Sequence, residues 1–415
     1  MVTVEIPVLL WYGNKKLSLK FPPRWDVTFH QMNGDQYQPL TTANLHAILA
    51  NPIGTKPINA LAQGCKEVAI VVDDMTRATD PKLVVPYILD QLHSSGISND
   101  HIRFIVGLGA HGSLNRLELV KKLGEEIVEE FPVWNHNVVG CADFLGNTEQ
   151  GTPVEINAEF MACDLKIGIG GIVPHPMTGF GGGSKIIMPG ISSIRTIDYN
   201  HVDVLLSGPH RTPHPSLGWG QTEGNILVKD IEEIARMAGL DFKVDMVFNG
   251  HAQPIGLFAG DVSAEFREGI KLGRTVYATK TPKSADIVIA NNYFKSNEAS
   301  LAVSLADETV RKGGTVVVVA FAPDGQVPHY NCGKWGARSG GALFNEMTRF
   351  PMRSNYGTLI IFSPYKQKDP PLPIADPNSM LWLKTWEEVL EELKNLHPGT
   401  PRVAVYPNAE VQQAS

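Results

Sequence analysis

The chain has 415 residues, 43% of them apolar and 19% charged, and a formal net charge of -7. A single hydrophobic core stops growing at roughly 250 to 300 residues, so the length favours two domains. The negative balance, with no run of lysine or arginine, excludes a general attraction to nucleic acid. No basic leader precedes an apolar stretch, and no apolar run approaches the roughly 20 residues that span a bilayer. The expectation is a cytoplasmic chain with neither membrane nor nucleic acid as partner.

In chain order, residues 3–10 and 16–21 carry short strand signals, which predict an antiparallel hairpin at a sheet edge. Residues 67–72, 102–107, 165–170, 287–290, 315–320, 359–362 and 403–406 are continuously apolar, as expected of buried parallel strands. Helical patterns fall at 81–94, opening on Pro81, at 116–130 and at 231–238. A Gly-rich strip then runs through Gly260, followed by a polar helix to about Lys271. Strands alternating with helices predict an α/β fold. The expected arrangement is two α/β domains with mostly parallel sheets and the active site in the cleft between them. Residues 1–275 would form the first domain and 276–415 the second, with the final residues packing back on the first. Cys65, Cys141, Cys163 and Cys332 lie far apart without CxxC spacing, which predicts reduced, buried thiols.

Open parallel sheets bind ligands beyond the carboxyl ends of their strands. After Val72 the chain reads Asp73-Asp74-Met75-Thr76-Arg77, after Gly107 it reads Leu108-Gly109-Ala110-His111-Gly112, and after Gly170 it reads Gly171-Ile172-Val173-Pro174-His175-Pro176. If these strands are neighbours, two carboxylates, an arginine and two histidines share one cleft. Asp73 or Asp74 is equally readable as a helix cap, and each histidine as a hydrogen-bonded loop residue. Histidine suits proton transfer near neutral pH, and Arg77 offers a planar, two-pronged donor for a carboxylate.

The turn Thr178-Gly179-Phe180-Gly181-Gly182-Gly183-Ser184-Lys185 is only loosely a phosphate loop, because Ile186 stands where a magnesium-binding hydroxyl belongs. Gly107 to Gly112 matches GxGxxG, but no strand ending in an acidic residue follows about 20 positions on. His201 follows in Asp198-Tyr199-Asn200-His201. His210 and His214, separated by prolines, are loop residues that could line the cleft.

The succession Asp74-Met75-Thr76-Arg77, Gly109-Ala110-His111, Pro174-His175, Gly179-Phe180, Gly182-Gly183, Lys185, Pro189-Gly190 and Asn200-His201 resembles the lactate racemase family. The resemblance covers roughly residues 65–205. It implies a nickel-pincer nucleotide (nickel pyridinium-3,5-bisthiocarboxylic acid mononucleotide) attached covalently to Lys185, with His201 as the protein ligand to nickel. It further implies His111 and His175 as paired acid/base residues, and Asp74, Thr76, Arg77, Gly182, Gly183 and Pro189 as cofactor contacts. Partners would be a small 2-hydroxy acid and the proteins that make the cofactor. The family's lactate enzyme offers its substrate a glutamine and, three residues on, a lysine; Leu301 and Ser304 stand in those places. Arg77, Lys295, Asn297, Ser304 and Trp335 are the expected substrate contacts, and a larger, more polar acid, such as a sugar acid epimerised at C2, the expected substrate. Alternatives are a nicotinamide-dependent 2-hydroxy acid dehydrogenase and a non-catalytic homologue that binds a small acid.

Overall fold

The structure is a computed structural model, described here for residues 1–208, 210, 212–327, 329, 354–365 and 380–415. Two six-stranded sheets organise it. The first has the spatial order Pro254–Gly260, Phe242–Phe248, Leu165–Gly171, Val68–Asp73, Ile102–Gly107, Val133–Asn135, parallel throughout except for the antiparallel Pro254–Gly260 edge. The second runs Met380–Leu383, Thr358–Phe362, Val310–Val319, Ala285–Asn291, Arg402–Tyr406, Asp26–Phe29, all parallel. The mostly parallel α/β class expected from the sequence is the class observed.

Both faces of each sheet are covered, which is why the strands read as unbroken apolar runs. In the central strand of the first sheet, Val68, Ile70 and Val72 enter one core, and Ala69 and Val71 the other. In the second sheet Val288 and Ala290 face one core, and Ile287 and Ile289 the other. Each fully buried Val or Ile is worth about 1.5–3 kcal/mol relative to exposure.

Several expectations need correction. The N-terminal hairpin does not extend a sheet edge: Val2–Val8 and Lys15–Phe21 form their own two-stranded sheet. Its alternation places Ile6, Val8, Leu19 and Phe21 in the core with Ile287, Ile289, Val403 and Val405, so the pair lies on a face of the second sheet. The 116–130 helix is two helices, Arg116–Leu123 and Glu125–Glu130, because Gly124 between them has φ 93°. The Gly-rich strip holds the two strands Phe242–Phe248 and Pro254–Gly260. Cys163 is buried as expected, but Cys65 is half-buried and Cys141 exposed, and Cys332 lies outside the described residues.

The chain passes between the sheets repeatedly. Asp26–Phe29 pairs with Arg402–Val405 in the second sheet before the chain enters the first. At the other end Val411 joins the core of the first sheet, and Gln413 pairs with Ala278.

Candidate active site

Strands Leu165–Gly171, Val68–Asp73 and Ile102–Gly107 are adjacent, so their carboxyl ends converge. From the central strand the chain winds outward through Ile102–Gly107 to Val133–Asn135 and then returns to its other side at Leu165–Gly171, and such a reversal of strand order makes the crevice where open α/β sheets bind ligands. A cavity of about 610 Å³ opens there, lined by Asp74, Arg77, His111, His175, Gly182, Lys185, Pro189 and His201 on the first-sheet side. From the other side come Glu298, Ser300, Leu301, Ser304, His329 and Tyr356.

Asp74 organises one wall. Its Oδ1 accepts from the Thr76 amide and hydroxyl, and its Oδ2 lies 2.6 Å from His111 Nδ1. Burial alone would raise this carboxyl, but the His111 imidazole and the Arg77 guanidinium overcome it and hold it at about 2. An ionised carboxylate only accepts, so Nδ1 of His111 carries a hydrogen, and in the neutral ring Nε2 is then the atom with the lone pair. Neither Asp73 nor Asp74 caps a helix. Asp73 Oδ1 instead receives the buried Lys122 amine at 2.6 Å, and that amine also bonds the carbonyls of Asp74 and Thr79.

His175 is set the opposite way. Its Nδ1 accepts from the backbone amides of Met177 and Thr178, at 3.2 and 3.3 Å, so the hydrogen of the neutral ring sits on Nε2. Burial, with Lys185, Lys295 and Arg77 nearby, pushes its pKa well below the ordinary histidine value.

Lys185 follows a turn that only glycine allows. At Gly183, φ is +53° and a Cβ would stand 2.7 Å from Phe266. Buried Asp245 accepts from the Gly183 amide and is itself paired with Lys243. The Lys185 amine is lowered to about 7 by burial and by Arg77 and Lys295. His201, on the helical turn after Asp198, donates from Nδ1 to the Ile197 carbonyl at 3.1 Å. Burial and Lys185 lower it to about 4, so its ring is neutral with Nε2 unprotonated.

Not every expected contact reaches the cavity. Thr76 is buried behind the wall, where its hydroxyl donates to Asp74 and accepts from Arg77. Gly183, Lys295 and Asn297 do not line it, although the buried Lys295 amine, pulled to about 8 by burial and Arg77, sits close enough to act through its charge. Ser304 and Leu301 do line it, and Ser304 accepts a 2.9 Å hydrogen bond from Trp219 Nε1. His210 and His214 do not, and Trp335 lies outside the described residues. The 291–295 stretch is packed inside the protein: Asn291 to Lys295 are buried, and Glu410 accepts from the amides of Tyr293 and Phe294.

Glu298, His329, Trp219 and Lys243 were not singled out by sequence. Glu298 bridges the walls, its Oε2 3.1 Å from Arg77 and its Oε1 3.5 Å from His329. Burial would raise it, but Arg77, His329 and Lys295 hold it well below the usual carboxylate range. The strand-end rule applied to Ala285–Asn291 would have reached Glu298; nothing in the sequence around His329 marks it. The GxGxxG segment is occupied by packing: the Gly109 amide donates to the Gly190 carbonyl, and a Cβ at Gly109 would meet Pro189 at 3.2 Å.

Residues 12–212 match the family described as the lactate racemase N-terminal domain. The chain is 28% identical over 334 residues to the lactate racemase of Thermoanaerobacterium thermosaccharolyticum, covering 78% of this chain and 76% of that one. It is 31% identical over 284 residues to the lactate racemase of Lactiplantibacillus plantarum, covering 67% of this chain and 65% of that one. The fold is similar to the lactate racemase apoprotein of T. thermosaccharolyticum, with TM-score 0.71, 22% identity and 100% of both chains covered. A Thermotoga maritima protein of known structure matches with TM-score 0.65 and 17% identity over 92% of this chain and 100% of that one. Together with the sequence matches, the ordered residues from Asp74 to His201 and the sheet that brings them into one cavity place this chain in the lactate racemase family.

Proposed function

We propose that the chain is a racemase or epimerase that inverts Cα of a 2-hydroxy acid, with a nickel-pincer nucleotide held covalently on Lys185. The observation that supports this best is that His111 and His175 line one cavity with Lys185 and His201 while holding opposite hydrogen-bonding states. The residues fit the cofactor. A Lys185 amine brought down to about 7 is substantially unprotonated and nucleophilic at neutral pH. His201 offers an unprotonated Nε2, and imidazole is a suitable ligand for nickel. Gly107, Gly109, Gly170, Gly171, Gly181 and Gly182 line the cavity with backbone, leaving room for a broad group.

When bound, the group supplies a hydride acceptor and donor for Cα. The chain's own residues handle the substrate oxygen. His111 takes the hydroxyl proton at Nε2, and Asp74 stabilises the imidazolium that results. His175, with hydrogen on Nε2, faces the oxygen as a donor, and inversion uses the pair in opposite states. Arg77 keeps N–H groups beyond its Glu298 pair for the substrate carboxylate, with Lys295 adding positive charge. The two sheets act as two domains closing on the cleft and excluding water.

The substrate is larger and more polar than lactate, and a sugar acid epimerised at C2 suits the cavity. Leu301 and Ser304 line the outer wall in place of the amide and ammonium of the lactate enzymes, and Ser300, Asp307, Ser354 and Tyr356 complete a wall suited to hydroxyl groups.

The test uses chain produced together with the cofactor-making proteins. Intact-mass measurement should show an adduct that Lys185→Ala abolishes, and His201→Ala should lower nickel content. Chiral chromatography over acids from lactate to hexonic acids should show turnover favouring the longer, hydroxylated members. Active protein without an adduct would sink the cofactor, and preferential turnover of lactate would sink the substrate assignment.

A further inference from the structure

The cavity contains a second cluster of metal-ligating atoms, separate from His201. His111 Nε2 lies 3.1 Å from His329 Nε2, and that atom lies 3.5 Å from Glu298 Oε1. The three ligand atoms all fall within 4.8 Å of one another. A tetrahedral zinc ion with Zn–N bonds of about 2.0–2.1 Å spaces its ligand atoms about 3.3 Å apart. The two edges that meet at His329 differ from that by a few tenths of an ångström, the third is no longer than 4.8 Å, and two imidazoles with one carboxylate form a donor set such ions accept.

Two of the three ligands have outer contacts that orient them, while the buried Nδ1 of His329 has no hydrogen-bond partner among the described residues. His111 is held through Nδ1 by the Asp74 carboxylate, an arrangement that orients a metal-binding imidazole and raises its basicity. Glu298 is held through Oε2 by Arg77, which leaves Oε1 as the ligand atom. All three residues line the cavity, so a fourth position is open to it. Arg77 and the partly deprotonated Lys295 oppose a cation here, whereas Asp74 and Glu298 supply two negative charges in direct contact with the cluster or its ligands.

We propose that His111, Glu298 and His329 bind one divalent first-row transition ion, zinc in preference, by a three-point site that joins the two walls of the cavity. The ion takes the lone pair of His111 Nε2, so its binding and proton transfer by His111 exclude one another. Binding stands independently of the racemase reading; only inhibition rests on it.

The experiment uses the full chain made without the pincer cofactor, freed of metal, in a His201→Ala background that removes the other candidate ligand. Zinc titration by calorimetry should count one equivalent, and cobalt should develop the intense visible bands of a tetrahedral centre. His329→Ala and the near-isosteric Glu298→Gln should each lose that equivalent, with unchanged far-UV circular dichroism in metal-free buffer. Asp74→Asn should retain the site and weaken it about 10- to 100-fold. Persistence of the equivalent in either His329→Ala or Glu298→Gln, or no binding in the His201→Ala parent, overturns the site. In cofactor-loaded wild type, zinc should inhibit turnover. Binding without inhibition would leave the site standing and count against His111 as the base.

Discussion

Asp74 shows how one carboxylate sets both chemistry and acid stability. Its folded pKa of about 2 lies below the ordinary value of 3.8, so it stabilises the fold above about pH 4, and that contribution disappears as pH falls toward 2. For a buried group displaced this far the contribution is about 2–3 kcal/mol. Acid titration followed by circular dichroism should show Asp74→Asn losing less stability than wild type between those limits; parallel curves would mean that the carboxylate is not held down in the folded state. The same variant should lower kcat by about 100-fold or more with a smaller effect on KM, because a neutral amide neither fixes the His111 tautomer nor stabilises its cation. Steady-state kinetics on cofactor-loaded protein distinguish this from a general loss of folded enzyme.

At the scale of elements, Lys122 on helix Arg116–Leu123 ties the exit of the central strand, bonding Asp73 and the carbonyls of Asp74 and Thr79. Lys122→Met strands Asp73 and should cost about 3–5 kcal/mol in urea denaturation. Burial already raises the Asp73 pKa, so in the variant the loss should grow as pH rises and the stranded carboxyl is forced to ionise. The strand ends bearing His111, His175 and Asp74 were legible in sequence because buried parallel strands are continuous apolar runs and each is followed within a few residues by its functional side chain. Phe242–Phe248 was not legible: Lys243 and Asp245 interrupt its apolar pattern, and only the fold shows that they neutralise one another beneath the Lys185 turn. His329 was hidden for a different reason, since it reaches the cavity by tertiary approach, forming an isolated bridge with His111. Trp219 was likewise hidden, lying in an irregular segment and meeting Ser304 only across the cavity.

For the whole molecule, the C-terminal residues contribute far more than an ordinary tail. Val411 is fully buried in the first-sheet core, and Glu410 accepts from the amides of Tyr293 and Phe294 beside the cavity. Truncation after Tyr406 should therefore lower the melting temperature by several degrees, and weaken substrate binding in cofactor-loaded protein by loosening the segment that carries Lys295 and Glu298. An unchanged melting temperature would show that the terminus is dispensable. The early excursion of Asp26–Phe29 into the second sheet has a genetic counterpart. A gene divided near codon 280 would not yield two autonomous products: the upstream product would carry a hairpin and a strand whose sheet is encoded downstream, and the downstream product would carry residue Val411, whose core is encoded upstream. The halves should be recovered together from one cell and lost when expressed apart, so exchange of either half between relatives succeeds only when both ends of the chain travel with the sheet they complete.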